Sequence, residues 1–295
     1  MGQRALILGG GGVTGVAWEV GLLAGLAEHG VELAAADLIV GTSAGSVVGA
    51  DVAAGEDLEE LYRGQLAPPD GQPVARLGVA NTARLLGIML GTRDPLRARV
   101  RMGRLALRAR TESEAQRRAV FEGRLGRREW PGQLKVTAVE ALSGEFTVFD
   151  AAGPAALIDA VGASCAVPGV WPPVTIGGRR YIDGGMRSVA NADLADGYER
   201  IVIVAPITQG LGHMASAAKQ AAALARAGAQ VIVLSPDKAA IRAIGRNVLD
   251  PAKRAASARA GRTQAGAEAD RVRAVWLAEA GPSSGSPAGA AGQAS

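Results

Sequence analysis

The sequence predicts an α/β fold, a three-layer sandwich with a mostly parallel central sheet and a helical, lid-like insertion. The chain begins with a strand-like run, a glycine turn and a helical pattern, and then repeats strand, tight turn and helix. This order is typical of parallel strands joined by crossover helices. Hydrophobic residues make up 48% of the 295 residues and charged residues 20%, which is typical of a globular protein.

Short apolar runs predict buried strands, and helical periodicity predicts the elements between them. In the first half of the chain, strands are predicted at 4–8 and 37–40 and helices at 15–29, 44–54 and 56–65. Gly30 stands where a glycine commonly ends a helix. The proline- and glycine-containing stretch 68–71 predicts a loop.

The second half continues the alternation of strands and helices. Strands are predicted at 134–141, 145–149, 180–182, 201–205 and 230–234, and helices at 154–163, 214–227, from about 237, and at 251–278. Residues 167–173 are proline-rich and predict a loop. The Gly/Ser/Ala/Pro-rich tail 281–295 predicts disorder, so residues 1–280 are expected to form one domain.

Composition narrows the class of protein further. The chain has a single cysteine, Cys165, so no intrachain disulfide can form, which fits a reducing compartment. No signal-peptide pattern opens the sequence, and no run of about 18 apolar residues occurs. We therefore expect a soluble, cytoplasmic protein. One cysteine and two histidines without close ligand pairs predict neither a metal site nor a metal cofactor.

The most specific local pattern is G-x-S-x-G at residues 41–45, between a short apolar strand and a helix. A serine on such a tight turn is held with its hydroxyl exposed above the sheet edge, and the flanking glycines avoid steric clashes. The N-terminus of the following helix favours developing negative charge. The pattern indicates Ser43 as a nucleophile, although small residues also suit an ordinary strand–helix turn.

A glycine run, Gly9 to Gly12, follows the first predicted strand. Consecutive glycines let backbone N–H groups point into one cavity, as an oxyanion hole requires. The same letters satisfy G-x-G-x-x-G, so a dinucleotide site is an alternative. A dinucleotide fold would place an acidic residue at the end of the second strand, where this chain has the 41–45 turn.

A third pattern, Asp183-Gly184-Gly185, ends a short predicted strand. A carboxylate there, with glycines beside it, can accept the proton of a serine hydroxyl as a general base. Taken alone, this tripeptide is a common turn. Its weight comes from the two patterns that precede it.

Three blocks in this order resemble the patatin-like phospholipase family. They are GGGGVTG at 9–15, GTSAG at 41–45, and DGG within YIDGGMRSVAN at 181–191. Between the last two, ASCAVPG at 163–169 and the Trp171-Pro172-Pro173 stretch are similar to the family's A-S-x-A-x-P and F-P-P stretches. The resemblance extends over roughly residues 4–205.

The resemblance implies a patatin-like fold and hydrolysis of fatty acyl ester bonds of lipids or phospholipids. It implies a Ser-Asp dyad without a cofactor, and an oxyanion hole built from the glycine run. The implied site residues are Ser43 and Asp183 for catalysis, with Gly10, Gly11 and Gly12 as oxyanion donors. We add the Ala44 N–H, which follows the nucleophile, as a further donor.

The chain departs from the family pattern at three positions. Thr14 stands where the family usually has arginine or lysine in the glycine loop, which removes a cation from the site. Trp171 replaces a common phenylalanine, and Asp193 replaces the usual proline after the DGG block. The first departure bears on substrate preference and on the rate of catalysis.

The two histidines allow a test of the dyad. His29 ends the first predicted helix, roughly 20 Å from the glycine loop at about 1.5 Å per residue, so it is expected to act as a helix cap. His213 follows a predicted strand, and its place after serine and aspartate also suits a triad. We expect a solvated loop histidine, and the triad remains an alternative.

The segment 76–128 carries 14 arginines and 4 acidic residues, whereas the rest of the chain has 18 basic and 24 acidic residues. Two or three helices are predicted there. Such a segment attracts anionic surfaces, so we expect a lid or a peripheral contact with anionic membrane. A solvated helical face is the alternative. Nucleic acid is not an expected partner, because no aromatic residues interleave with the arginines.

Two other functions compete with ester hydrolysis. A protein of the same fold that lacks turnover, because Thr14 replaces the cation, would bind lipid without cleaving it. A nucleotide-dependent oxidoreductase would bind its cofactor at the glycine loop. Labelling of Ser43 by a fluorophosphonate distinguishes the first alternative, and a titration with NAD(H) and NADP(H) distinguishes the second.

Overall fold

The computed structural model describes residues 3–68, 79–126, 128–210, 212 and 214–277 and has an eight-stranded sheet at its centre. The described strands are β1 (Arg4–Leu8), β2 (Leu38–Gly41), β3 (Leu134–Glu140), β4 (Phe146–Phe149), β5 (Val174–Ile176), β6 (Arg179–Asp183), β7 (Arg200–Val204) and β8 (Gln230–Leu234). The described α-helices are α1 (Gly12–Glu28), α2 (Ala44–Ala53), α3 (Leu58–Leu66), α4 (Val79–Leu90), α5 (Pro95–Arg108), α6 (Glu114–Leu125), α7 (Leu157–Ser164), α8 (Ala217–Arg226), α9 (Lys238–Ile244) and α10 (Arg254–Trp276). The predicted tail 281–295 and most of the predicted loop 68–71 lie outside the described residues.

The sheet is mostly parallel, as the alternation of strands and helices predicted. Strands β8, β7, β1, β2 and β3 lie side by side in that order, all parallel. Strands β4 and β6 pair with β3 in the antiparallel direction, and β5 pairs with β6. The carboxyl ends of β1 and β2 therefore meet at one edge of the sheet, where ligand sites of α/β proteins commonly form.

Two strands share one side of β3. Strand β2 pairs with residues 134–136 of β3, and β6 pairs with residues 138–140. Strand β4 pairs with residues 136–139, so it occupies the other side of β3. Because β2 runs parallel to β3 and β6 antiparallel, their carboxyl ends face each other along β3. The residues that follow Gly41 are thereby brought next to Asp183.

Helices cover both faces of the sheet. Successive side chains of a strand point to opposite faces, so Leu6 and Leu8 belong to one core and Ala5 and Ile7 to another. The first core contains residues of α1, α2, α7 and α10, and the second contains residues of α8 and of the segment 189–195. This arrangement is the predicted three-layer sandwich.

The described part of the arginine-rich segment, residues 79–126 and 128, contains three helices, α4 to α6, that pack at different places. Helix α5 buries Ala98, Met102 and Ala106 against β3 and β6. Helix α6 buries Phe121 and Leu125 in the first core and begins with a capping box at Ser113. Helix α6 is thus packed against the first core through these two side chains.

Several element boundaries differ from the sequence-based expectation by one to three residues, and one strand was not predicted. Helix α1 begins at Gly12 and not near Gly15, because the last glycine of the run starts the first helical turn. The short strand β5 was not predicted, since its three residues, Val174 to Ile176, follow a proline-rich stretch. Among the helices of the described residues, none combines the length and the apolar composition that a membrane-spanning segment needs.

Candidate active site

Ser43 lies on a strained turn between β2 and α2. Its φ of 52° is in the left-handed region, which among the described non-glycine residues only Asn191 shares. A β-carbon at Gly45 would lie 2.1 Å from the Leu8 carbonyl oxygen, so a glycine is required there for α2 to approach β1. Strained backbone of this kind persists where the surrounding structure holds it, and it is typical of a serine nucleophile on a strand–helix turn.

The backbone of Ser43 is fixed by side chains from two elements. Its N–H donates to Ser164 Oγ at 2.9 Å, and its carbonyl oxygen accepts from Ser46 Oγ at 2.7 Å and from Cys165 Sγ at 3.2 Å. The Ser43 side chain makes no capping hydrogen bond to α2, although serine often does so at this position. Its hydroxyl is therefore left for another role.

Asp183 ends β6 and is held rigidly beside this turn. Its N–H donates to the Ala166 carbonyl at 3.1 Å, and its Oδ1 accepts from the Gly185 N–H at 2.7 Å. A β-carbon at Gly184 would lie 2.4 Å from Thr137 Oγ1. The two glycines thus have different roles. The Gly185 N–H donates to the carboxylate, and Gly184 allows the chain to approach β3 closely.

The pKa of Asp183 is raised to about 7. Burial is the main cause, because only 2% of the residue is exposed and the charged form loses its hydration. The interaction with the Ser43 hydroxyl and the Gly185 N–H bond oppose the rise, since both favour the carboxylate. Asp183 can therefore gain and lose a proton near neutral pH while interacting with the serine hydroxyl.

Asn191 joins the segments that carry the two residues, and sequence reasoning did not identify this role. It is fully buried, and its Nδ2 lies within 3.0–3.3 Å of Thr42 Oγ1, Thr137 Oγ1 and the carbonyls of Gly184 and Ser188. The Thr42 and Thr137 hydroxyls are 2.9 Å apart. The signal that could have found Asn191 is its place at the end of the YIDGGMRSVAN block.

The glycine run differs from expectation at Gly10. Its N–H donates to the Val189 carbonyl at 2.8 Å, so this donor is already engaged and the prediction of Gly10 as an oxyanion donor is corrected. Within the described residues, no protein acceptor bonds the N–H groups of Gly11, Gly12 or Ala44. These three remain as candidate donors.

Helices α1 and α2 both begin at one cavity of about 550 Å³ that contains Ser43. Helix N-termini carry partial positive charge and free N–H groups, so they favour an anion between them. The described lining residues are Gly12, Val13, Val16, Ser43, Ala44, Val47, Gln65, Arg117, Ala119, Val120, Phe121, Gly123, Arg124, Cys165, Val167, Trp171, Leu249, Pro251 and Arg254. The cavity combines an apolar wall with three arginines.

Two of the three residues that depart from the family pattern, Thr14 and Asp193, make specific contacts in the structure. Thr14 is fully buried, and both its N–H and its Oγ1 donate to the Val248 carbonyl, at 3.0 and 3.2 Å. Asp193 forms an ion pair with Arg187 at 2.5 Å.

Burial raises the pKa of the Cys165 thiol to about 12, so the thiol is protonated at neutral pH.

Of the two histidines, the structure describes only His29. His29 follows α1, with its Nδ1 2.7 Å from the Gly25 carbonyl oxygen, which agrees with the predicted capping role. His213, the candidate third member of a triad, lies outside the described residues. In the part of the chain that the structure describes, no three His, Cys, Asp or Glu side chains come together as metal ligands.

The structure is thus an α/β protein that carries a serine on a strained strand–helix turn. A sequence model of the patatin-like phospholipase family matches residues 6–196, which is more than half of the chain. The match includes the glycine run, the Ser43 turn and the Asp183 block. The chain therefore belongs to the patatin-like phospholipase family, and this membership supports a lipid acyl hydrolase activity.

The solved structures that are similar to the chain include VipD and ExoU. VipD from Legionella pneumophila matches with a TM-score of 0.46 and 14% sequence identity, over 92% of this chain and 67% of VipD. The type III effector protein ExoU matches with a TM-score of 0.43 and 16% identity, over 92% of this chain and 53% of ExoU. The chain thus spans about two thirds of one relative and about half of the other.

Proposed function

We propose that this protein is a serine acyl hydrolase that cleaves fatty acyl ester bonds of lipids or phospholipids through Ser43 and Asp183. The observation that carries the proposal is the pairing of a strained, buried serine with a buried aspartate whose pKa is about 7. A general base works best when its pKa is near the working pH. Aspartate here has that property because of burial, with no histidine required.

The first half of the reaction forms an acyl-enzyme. Asp183 accepts the proton of the Ser43 hydroxyl while Oγ bonds to the ester carbonyl carbon, and the carbonyl electron pair moves to its oxygen. The N–H groups of Gly11, Gly12 and Ala44 would stabilise that oxyanion. Collapse of the intermediate breaks the ester C–O bond, and Asp183 returns the proton to the leaving alkoxide.

The second half repeats these steps with water as the nucleophile. Asp183 accepts a proton from the water molecule, whose oxygen bonds to the acyl carbon. The intermediate then collapses, the bond to Ser43 Oγ breaks, and the serine regains the proton. A free fatty acid leaves, and the enzyme is restored with all protons balanced.

Hydrolysis of a panel of short and long acyl esters tests this function. We expect Ser43→Ala to reduce activity to background, and Asp183→Asn to lower kcat/KM about 10²- to 10⁴-fold, the usual contribution of a general base. Ser143→Ala, in the turn between β3 and β4, is the matched control and is expected to retain activity. Equal hydrolysis by wild type and Ser43→Ala would contradict the proposal.

Lipid binding without turnover is the competing function, and the loss of a cation at Thr14 favours it. Thr14 is engaged by the Val248 carbonyl and supplies no charge to the site. If wild type binds acyl lipids but cleaves no ester in the panel, the binding function is supported and hydrolysis is excluded.

The proposal also places the protein in the cytoplasm, with a peripheral contact to anionic membrane. A cavity of about 700 Å³ beside α4 and α5 is lined by five arginines, namely Arg84, Arg101, Arg104, Arg108 and Arg110. Leu90 and Leu96, near the turn between these helices, are 77% and 45% exposed. Exposed leucines beside arginines suit the interface of an anionic bilayer.

Co-sedimentation with vesicles tests the membrane contact. We expect binding to phosphatidylglycerol vesicles, little binding to phosphatidylcholine vesicles, and a loss of about tenfold or more in the triple variant Arg101→Gln, Arg104→Gln, Arg108→Gln. The control removes the same charge elsewhere, through Arg226→Gln, Arg242→Gln and Arg259→Gln. Equal losses in both triple variants would show that only net charge matters.

A further inference from the structure

The cavity beside Ser43 carries positive charge that the reaction at the ester does not use. Arg117 and Arg124 of α6 and Arg254 at the start of α10 all line it. Among the described lining residues there is no aspartate or glutamate. Three guanidinium groups therefore surround a space that also contains the proposed nucleophile.

Two aromatic rings hold the Arg117 guanidinium in place. Its guanidinium carbon lies 3.8 Å from the centroid of the Trp171 ring and 4.8 Å from that of Phe121. Its Nε is buried and has no hydrogen-bond partner in the described structure. Burial lowers the pKa of Arg117, because the charged guanidinium loses part of its hydration. The aromatic rings thus orient a donor group that lacks an acceptor.

The other two arginines are only weakly neutralised. Arg124 is 3.8 Å from Asp51, whose carboxylate is already bound by Arg128 at 2.6 Å, and its side chain is 37% exposed. Arg254 donates to the Gly64 carbonyl at 2.8 Å and to Gln65 Oε1 at 3.3 Å, both of them neutral acceptors. The cavity therefore has an excess of positive charge that a bound anion can balance.

We propose that Arg117, Arg124 and Arg254 bind the phosphate of an acyl lipid whose ester group lies at Ser43, and that they make the enzyme selective for phosphate-bearing esters over neutral ones. This inference rests on the proposed hydrolase function. The guanidinium group suits phosphate because its planar N–H donors can form two hydrogen bonds to it at once. Apolar residues of the same cavity, such as Val16, Val47 and Leu249, suit the acyl chain.

A matched pair of substrates tests the selectivity. 1-Lauroylglycerol and 1-lauroylglycerol 3-phosphate share the ester and differ only in the phosphate, and both are used as monomers below micelle formation. We expect Arg117→Gln and Arg124→Gln each to lower the phosphate-to-neutral ratio of kcat/KM about tenfold, and the double variant about hundredfold, as charge-assisted hydrogen bonds predict. The kcat/KM for the neutral ester is expected to fall less than that for the phosphate ester in each variant, so the ratio of the two is the readout.

Two controls separate this effect from loss of folding and from loss of net charge. Arg118→Gln removes the same charge from α6, but Arg118 pairs with Glu122 and Asp159 and does not line the cavity. It is expected to keep the wild-type ratio. Arg117→Lys and Arg124→Lys retain the charge and should recover part of the ratio, while thermal unfolding reports the fold of each variant.

Binding of ether analogues makes the test independent of ester cleavage. Calorimetry with 1-O-dodecylglycerol 3-phosphate and 1-O-dodecylglycerol is expected to show the same dependence on Arg117 and Arg124, and inorganic phosphate should compete only weakly. An unchanged ratio in the double variant, or an equal drop in Arg118→Gln, overturns the inference while hydrolysis stands. If the phosphate ether binds in an arginine-dependent way but no ester is cleaved, the hydrolase function is contradicted and the phosphate site is still supported.

Discussion

Asp183 and Glu19 are two buried carboxyl groups in different surroundings. Asp183 accepts the Gly185 N–H and interacts with the Ser43 hydroxyl, and its pKa is about 7. Glu19 on α1 is fully buried, and neither of its oxygens has a hydrogen-bond partner in the described residues. Burial raises the pKa of Glu19 well above its ordinary value. The pKa of Asp183 thus lies near neutral pH, whereas for Glu19 burial favours the protonated form.

Activity should depend on pH through Asp183. A base must be deprotonated to act, so kcat/KM for a soluble ester should rise as the pH increases through about 7 and then level off. The measurement is a kcat/KM profile between about pH 5 and about pH 9, with unfolding monitored at each pH. A profile that is flat across neutral pH would contradict the assignment of Asp183 as the base.

Stability should depend on pH through Glu19. Below the ordinary glutamate pKa of 4.5, both the folded and unfolded states hold the proton. As the pH rises above that value, the unfolded state releases its proton at a lower pH than the folded state does, so the free energy of unfolding falls. Glu19→Gln removes this loss and should raise stability by about 1 kcal/mol or more near pH 8, and less near pH 4.5.

Urea unfolding at the two pH values measures this effect. Glu32→Gln is the control, since Glu32 is exposed and its substitution should change stability by less than about 0.5 kcal/mol at both. A Glu19→Gln variant whose stability relative to wild type is the same at both pH values would disprove the explanation.

At the scale of elements, the site depends on how two strands meet beside a third. Strands β2 and β6 lie end to end along β3, and this brings the Ser43 turn next to Asp183. The Asn191 side chain then joins the Thr42 side of this junction to the Gly184 side. The geometry of the pair is therefore set by contacts between elements that are far apart in the chain.

Replacing Asn191 should loosen this junction. Asn191→Ala leaves buried oxygens without a donor and places alanine at a φ of 52°, so we expect a loss of about 2–4 kcal/mol in the free energy of unfolding. Asn191→Gly tolerates that φ and isolates the contribution of the hydrogen bonds. Both variants should lower kcat more than they raise KM, because the reacting groups are misplaced.

The control for Asn191 is another amide side chain that makes one hydrogen bond outside the site. Gln133 donates to the Ala53 carbonyl at 3.1 Å, and Gln133→Ala should cost less than about 1.5 kcal/mol and preserve kcat. If Asn191→Gly keeps full kcat, Asn191 supports the fold only and has no role in positioning Ser43 and Asp183.

At the scale of the whole molecule, local patterns predicted most elements, whereas contacts between distant segments could not be predicted. The strand at 4–8 and the turn at 41–45 follow from neighbouring residues, so the sequence alone predicts them. The engagement of the Gly10 N–H by Val189 depends on a segment about 180 residues away, which no local pattern reveals. The capture of the Ser43 N–H by Ser164 has the same long-range origin.

The arginine-rich segment shows the same limit. Its charge predicted attraction to anions, and its helical content was predicted from the sequence. Which arginines face the Ser43 cavity could not be predicted, because this depends on Phe121 and Leu125 docking α6 into the core. Charge composition thus indicates the kind of partner, and packing determines the site.

Covalent labelling tests the central claim, that an activated serine lies at residue 43, most directly. After incubation with a fluorophosphonate, peptide mass mapping should find the adduct on the peptide that contains Ser43, and Ser43→Ala should show none. Asp183→Asn should label at least about tenfold more slowly, because the hydroxyl loses its base. Failure of wild type to label, or an adduct on a different serine, would contradict the account.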